Sequence, residues 1–264
     1  MLRSDVESHV HELLRGSRRT QTIITRVQHF LPADRRAEFQ ERGHTFMMTN
    51  LTEETLLELK HQHDAQHGTL AFLAARNSKK KKERAAAFNH LLGDCTHAKL
   101  QNDSKLVARQ LRMKESSETK KLRNAVCALT GASNEDIEYE LAMLGLPGGL
   151  HQLVHIDGDQ KNCAVMVALE DGTPATRFVS ADLRSSQRGG QELERLASAQ
   201  TCADLPEGKV MCAGEALLFN TAWWHAGPGQ QAGCRRVIFI PLTGGTKRRS
   251  SQTESAPKRP RRNL

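Results

Sequence analysis

The feature that most constrains this chain is a series of short apolar segments in its second half, each bounded by glycine, proline, aspartate or asparagine. Apolar segments of this length between such turn residues are typical of β-strands. Many short strands joined by Gly-rich turns favour a sandwich or a jelly roll. We therefore predict six to eight strands between residues 137 and 246. The segments are Ile137–Leu144, His151–Asp157, Cys163–Leu169, Thr176–Ser180, Gly208–Ala213, Glu215–Asn220 and Arg235–Leu242.

The first half is predicted to be largely helical. From Thr52 to about Ala125 the chain is rich in Leu, Ala, Lys, Glu and Gln, with apolar residues at helical spacing. Before that region, the β-branched residues of Thr22–Leu31 favour a strand, and Pro32 opens a helix through Gln40. The predicted fold class is α+β, with a mostly helical region at 1–136, a β domain at 137–246 and a tail at 247–264.

Three histidines, His61, His63 and His67, lie close together in the predicted helical region. His63 and His67 are one helical turn apart, a spacing that two ligands of one metal ion can have. No HExxH motif accompanies them. We therefore predict a solvated helix face, with a metal site as the alternative.

The net charge of +8 is concentrated in two stretches. Residues 76–123 carry 14 Lys and Arg against 5 Asp and Glu, and residues 247–264 carry 7 against 1. The two basic clusters of the tail resemble a bipartite nuclear-import signal, with a solubilising tail as the alternative. The run Lys79–Lys82 predicts a solvated helix face or a contact with nucleic acid. The tail predicts an import receptor as a partner and a nuclear or cytoplasmic location.

Six cysteines are scattered along the chain without a CxxC pair, which favours unpaired thiols in a reducing compartment. The longest apolar run, Cys163–Leu169, has seven residues, whereas a membrane-spanning helix needs about 20. No secretory signal is visible at the amino terminus. We expect no membrane partner.

A candidate metal site lies in the predicted β region. His155 and Asp157 are two residues apart, so on a strand their side chains leave the same face. This pair would be uninformative alone, but His225 follows a second predicted strand and the pair Trp223-Trp224. Two histidines and one carboxylate form the facial triad of non-haem iron(II) sites.

Two adjacent arginines, Arg235 and Arg236, begin the otherwise apolar segment VIFIPL. Neighbouring residues of a strand point to opposite faces, so one of them points inward. A buried guanidinium is costly unless a carboxylate accepts its hydrogen bonds, and a dicarboxylic co-substrate would supply one. Spacing alone does not decide which of Arg235 and Arg236 points inward.

The segments LPGGLHQLVHIDG, GEALLFNTAWWHAGPG and CRRVIFI together resemble the iron(II)- and 2-oxoglutarate-dependent dioxygenases, over about residues 137–243. The phytanoyl-CoA-dioxygenase-like and prolyl-hydroxylase-like branches are the most similar. The resemblance implies a double-stranded β-helix, a cupin-like jelly roll, in the carboxy-terminal half. It also implies that His155, Asp157 and His225 bind iron and that Arg235, or Arg236, holds the distal carboxylate of 2-oxoglutarate. Thr176 is the residue we assign to a second carboxylate contact.

The activity implied by this resemblance is oxidation of an unidentified substrate by dioxygen, coupled to decarboxylation of 2-oxoglutarate to succinate. Asp157 favours hydroxylation over halogenation, and ascorbate would serve as reductant. The substrate could be a small molecule, a protein or a nucleic acid. The alternative is a non-catalytic, basic nucleic-acid-binding or scaffold protein with an inert β domain.

Overall fold

A computed structural model describes residues 22–67, 100–101, 105–106, 108–145, 151–152, 154–157, 162–179, 202–229 and 234–244. The basic run at 79–82, the predicted import signal at 247–264 and Cys95 lie outside these ranges. None of the helices within them is both long and apolar enough to cross a membrane.

Four α-helices are found in the described part of the first half: α1 (Ile23–Phe30), α2 (Ala33–Arg42), α3 (Glu53–His67) and α4 (Ser117–Thr130). The predicted helix after Pro32 is confirmed as α2. Helix α4 begins at a reciprocal capping box, in which Ser116 and Thr119 each bond the backbone amide of the other. Both α2 and α4 end at a glycine with positive φ, Gly43 and Gly131.

The predicted strand at Thr22–Leu31 was wrong, because this segment forms α1. The side chain of Thr22 accepts a hydrogen bond from the amide of Thr25 and so caps the helix. Ile23, Ile24 and Val27 lie on one face of that helix and are buried. Packing of this face against the sheet outweighs the β preference of its branched residues.

Six antiparallel strands form the main sheet, in the order β1-β10-β6-β12-β5-β4. Two of them, β1 and β4, come from the region predicted as helical, so the sheet takes chain from both sides of residue 136. Their bounds are β1 (His44–Met48), β4 (Ala108–Arg112), β5 (Leu141–Gly145), β6 (Cys163–Ala168), β10 (Glu215–Asn220) and β12 (Arg235–Leu242).

The central strands of this sheet are buried on both faces. In β6, Val165 and Val167 pack with the helices on the outer face, whereas Ala164 and Met166 face the interior of the β domain. Strands β10 and β12 alternate in the same way. This double burial explains why these strands are continuous apolar runs without a polar face.

The remaining described strands are short: β2 (Leu100–Gln101), β3 (Lys105–Leu106), β7 (Thr173–Pro174), β8 (Arg177–Phe178), β9 (Val210–Met211) and β11 (His225–Ala226). They pair as β2-β3, β7-β9 and β8-β11. The strand predicted at His151–Asp157 is reduced, in its described part, to one isolated bridge between His155 and His225. His225 thus lies between His155 on one side and Phe178 on the other.

The solvated helix face predicted for the three histidines was wrong for two of them. His61 is exposed, but His63 and His67 are buried against β5. Their Nε2 atoms lie 3.1 Å and 3.0 Å from the carbonyl oxygens of Met143 and Ala142, and each ring nitrogen donates there. These imidazoles therefore hold α3 on the sheet.

Gly43 links α2 to the segment that carries Trp223. Its φ is +73°, and a Cβ at this position would overlap the indole of Trp223. The carbonyl of Gly43 also accepts a hydrogen bond from the amide of Asn220, at 2.9 Å. This position therefore needs glycine for its backbone conformation and for the close approach of the indole.

We expect Gly43→Ala to lower the free energy of unfolding by about 3 kcal/mol, since left-handed strain and overpacking add. Gly172→Ala is the matched control, because φ is +76° there and an added Cβ meets nothing within 4 Å. We expect the control to cost about 1 kcal/mol. Chemical denaturation of both variants measures the difference, and equal losses would contradict the role assigned to Trp223.

Candidate active site

Three side chains with metal-binding atoms meet on the inner side of the β domain. One ligand atom from each of His155, Asp157 and His225 lies within 4.8 Å of the other two. The Nε2 atom of His155 is 3.3 Å from Oδ1 of Asp157, and that of His225 is 3.2 Å from Oδ2. The spacing allows one cation to contact all three side chains.

Main-chain pairing brings these distant residues together. The amide and carbonyl groups of His155 and His225 exchange two hydrogen bonds of 2.9 Å. Two residues further along, the amide of Asp157 donates to the carbonyl of Thr221 at 3.0 Å. The backbone hydrogen bonds therefore fix the Cα positions of all three residues.

A hydrogen bond sets the tautomer of His225. Its Nδ1 lies 2.7 Å from the carbonyl oxygen of Trp223, so Nδ1 carries a hydrogen and donates it. In the neutral ring, Nε2 then presents a lone pair to the carboxylate of Asp157, 3.2 Å away. A metal ion between these two acceptors would contact both of them.

The surroundings of the three residues favour a charged carboxylate. Burial raises the pKa of Asp157, but the adjacent imidazoles of His155 and His225 outweigh burial and hold this pKa well below its usual range. The ring of His225 is buried against Phe178 and Phe219, at centroid distances of 5.8 Å and 5.1 Å. An ionised carboxylate between two imidazoles is a donor set suited to iron(II), manganese(II) or nickel(II).

These three residues line a cavity of about 570 Å³ on the inner face of the main sheet. The volume lies within the range of about 300–1,000 Å³ found for small-molecule sites. Arg235 and Thr176 line the same cavity. Apolar side chains of β5, β6 and β12 contribute the rest of its inner wall, among them Met143, Met166 and Phe239.

Arg235 is buried, with 6% of its surface exposed, and faces this cavity. Its Nε donates to the carbonyl of Pro174 at 2.8 Å. Its terminal nitrogen Nη2 lies 3.1 Å from the sulfur of Met166 and 3.4 Å from Oγ1 of Thr176. These partners are uncharged, and among the described residues no carboxylate pairs with Arg235. Burial lowers the pKa of this guanidinium to about 10, so it remains charged at neutral pH.

Arg236 points to the opposite face of β12 and does not line the cavity. Its guanidinium bonds Asp64 on α3 at 2.6 Å and Glu170 at 3.1 Å. Glu170 also pairs with Lys60, at 2.9 Å. The alternative assignment of Arg236 to a co-substrate carboxylate was therefore wrong: its charge is compensated by α3 and the turn after β6.

Further polar residues line the cavity that no sequence pattern indicated. The Gln152 side chain accepts a hydrogen bond from the amide of Gly227 at 2.8 Å, which ties it to the turn after His225. No sequence pattern marked this glutamine, because the contact crosses 75 residues. Tyr139 could have been noticed as the single tyrosine of the chain. These residues are Arg112, Glu138, Tyr139, Gln152, Asn162, Thr221 and Thr243.

No protein-family model matches this sequence. No curated protein matches it either. Solved structures do match. The non-heme alpha ketoglutarate dependent carbocyclase SnoK from nogalamycin biosynthesis aligns with a TM-score of 0.52 at 11% identity, over 83% of this chain and 89% of that one. AviO1 from Streptomyces viridochromogenes Tue57 aligns with a TM-score of 0.52 at 14% identity, over 80% and 94%.

These alignments confirm the predicted fold class. The chain has the α+β jelly-roll fold of these proteins, with helices before and against a large antiparallel sheet. Identities of 11% and 14% establish the fold only, and the same fold can host different sites. The chemistry therefore has to be argued from the residues that line the cavity.

Manganese(II) should stabilise the wild-type protein, because it binds the folded site and not the unfolded chain. We expect a gain of about 2.7 kcal/mol when the free metal is about 100 times Kd. Asp157→Asn keeps the side-chain shape but removes the charge, so the gain should disappear. Thermal unfolding with and without the metal measures it.

His61→Ala is the control for this experiment, since His61 is exposed on α3 and lies outside the cavity. The control should keep the full metal-dependent gain. Equal stabilisation of wild type and Asp157→Asn would show that the metal binds elsewhere.

Proposed function

We propose that this protein is an iron(II)- and 2-oxoglutarate-dependent oxygenase that hydroxylates its substrate. One observation carries the proposal: His155, Asp157 and His225 share a cavity with a buried arginine that lacks a carboxylate partner among the described residues. A dicarboxylic acid can use both features, one end at the metal and the other at Arg235. The fold shared with a protein named as alpha ketoglutarate dependent supports this assignment.

The two histidines and Asp157 would hold the metal. Bound iron(II), together with 2-oxoglutarate and dioxygen, supplies the oxidation of the substrate and the decarboxylation to succinate. With His155, Asp157 and His225 as its protein ligands, the metal would keep positions for the co-substrate and dioxygen. The hydrogen bond from His225 to Trp223 keeps Nε2 directed at this centre.

Arg235 would bind the distal carboxylate of 2-oxoglutarate. Its Nε is held by Pro174, so the orientation of its guanidinium is set before the ligand arrives. Because the group is buried, an ion pair formed there is stronger than one in water. Thr176, whose Oγ1 lies 3.4 Å from Nη2, would donate its hydroxyl hydrogen to the same carboxylate.

Apolar side chains surround the His155–Asp157–His225 centre. Phe219 and Phe178 pack against the ring of His225. Met143 and Phe239 line the cavity on the side of the main sheet. Apolar walls exclude water from the reacting groups, which strengthens the electrostatic interactions within the cavity. Asp157 supports hydroxylation over halogenation, because its carboxylate would fill a metal position that a halide would otherwise take.

The adjacent arginines provide a matched test. Arg235→Met should abolish the conversion of 2-oxoglutarate to succinate in the presence of iron(II) and ascorbate. The same change should raise the free energy of unfolding of the ligand-free protein by about 1–2 kcal/mol, because a buried charge without an acidic partner is removed.

Arg236→Met is the control and should behave in the opposite way. It breaks the ion pairs with Asp64 and Glu170, so stability should fall, while succinate formation persists. Both properties are measured on the same preparations. A wild-type protein that binds metal but forms no succinate, and that binds nucleic acid in a salt-sensitive manner, would instead favour the non-catalytic alternative.

A further inference from the structure

A second arginine, Arg112, lines the cavity at the end away from Arg235. The strand register places it: Arg235 pairs with Gly145 on β5, whereas Arg112 on β4 pairs with Leu141. Four residues along β5 correspond to about 13 Å, and the two strand spacings from β12 to β4 to about 9–10 Å. The two cationic groups therefore mark opposite ends of one site, and a single 2-oxoglutarate at Arg235 leaves Arg112 without a role.

Arg112 stacks on the only tyrosine of the chain. Its guanidinium carbon lies 4.8 Å from the ring centroid of Tyr139. A backbone hydrogen bond of 2.8 Å from Met113 to Glu140 holds these two segments side by side. Stacking on an aromatic face orients a guanidinium while its N–H groups stay available in the ring plane.

The charge of Arg112 is not compensated by the described part of the protein. Arg112 is exposed, and no described carboxylate forms an ion pair with it. Glu138 lines the same end of the cavity and is exposed, but it makes no ion pair with Arg112. Burial, followed by the charge of Glu138, raises the pKa of Tyr139. The phenol therefore stays protonated and can donate a hydrogen bond beside the guanidinium.

We propose that Arg112 and Tyr139 bind the anionic group, a carboxylate or a phosphate, of a small-molecule substrate whose other end reaches the His155–Asp157–His225 centre. The substrate role rests on the proposed oxygenase function, whereas anion binding does not. A cavity of about 570 Å³ accommodates both a co-substrate at Arg235 and a small substrate between the two ends. The apolar wall that includes Met143 and Phe239 would contact the middle of that substrate.

The single tyrosine makes this site directly observable. Protein labelled with ¹³C in the tyrosine ring gives the signals of Tyr139 alone. Without metal or 2-oxoglutarate, inorganic phosphate and acetate are titrated separately against chloride at constant ionic strength. We expect a saturable shift of the ring signals, and the anion that saturates at lower concentration identifies which group the site prefers.

Variants decide whether Arg112 is responsible. Arg112→Gln should lower the affinity for the anion about tenfold, because this is the usual cost of losing a charge-assisted hydrogen bond. Glu138→Gln should raise the affinity for the anion, because a repelling charge is removed. Arg42→Gln is the control: it changes an exposed arginine that does not line the cavity, and the affinity should stay the same. No saturable shift with either anion, or the same shift in Arg112→Gln, would overturn the proposal.

The two proposals fail in different measurements. If phosphate or acetate causes the expected saturable shift but no succinate forms, the oxygenase function is refuted and the anion site remains. Succinate formation that depends on Arg235, without any anion-induced shift at Tyr139, would refute the substrate site alone.

Discussion

Double burial of the three central strands is the constraint on which the rest of this protein depends. The outer faces of β6, β10 and β12 pack against α1, α3 and α4, so helices cover that side of the central strands. On the inner side lie the short strand that carries His225 and the isolated bridge that joins it to His155. The cavity lies between these two layers, so its position follows from how the sheet is covered.

Electrostatics within this cavity are arranged around two charges of opposite sign. Asp157 is ionised between two imidazoles, and Arg235 is buried against neutral partners. The buried charge of Arg235 lowers the stability of the ligand-free protein, and one carboxylate of a dicarboxylic ligand would match it. A binding site that costs stability until it is filled is a recurring property of functional sites.

Sequence reasoning recovered the parts of the site that depend on local spacing. The two-residue step from His155 to Asp157 and the adjacent positions of Arg235 and Arg236 both follow from strand geometry. It failed where long-range packing overrides local preference. The branched residues of α1 suit a strand as well as a helix, so their local pattern does not predict the helix. The spacing of His63 and His67 likewise does not predict that β5 buries them. Strands β1 and β4 were missed for the same reason, since their pairing partners are distant in the chain.

The amino-acid sequence by itself determined the residue types available to the site, the turn pattern of its second half and the fact that one of two adjacent arginines points inward. Only the tertiary structure decided that Arg235 is that residue, that the Nε2 atoms of His155 and His225 both reach Asp157, and that Arg112 and Tyr139 lie at the other end of the same cavity. The physical reason is that strand alternation is a local property of the chain, whereas register and the identity of neighbouring strands are set by packing between distant segments, such as His44 and Phe219, which pair across 175 residues.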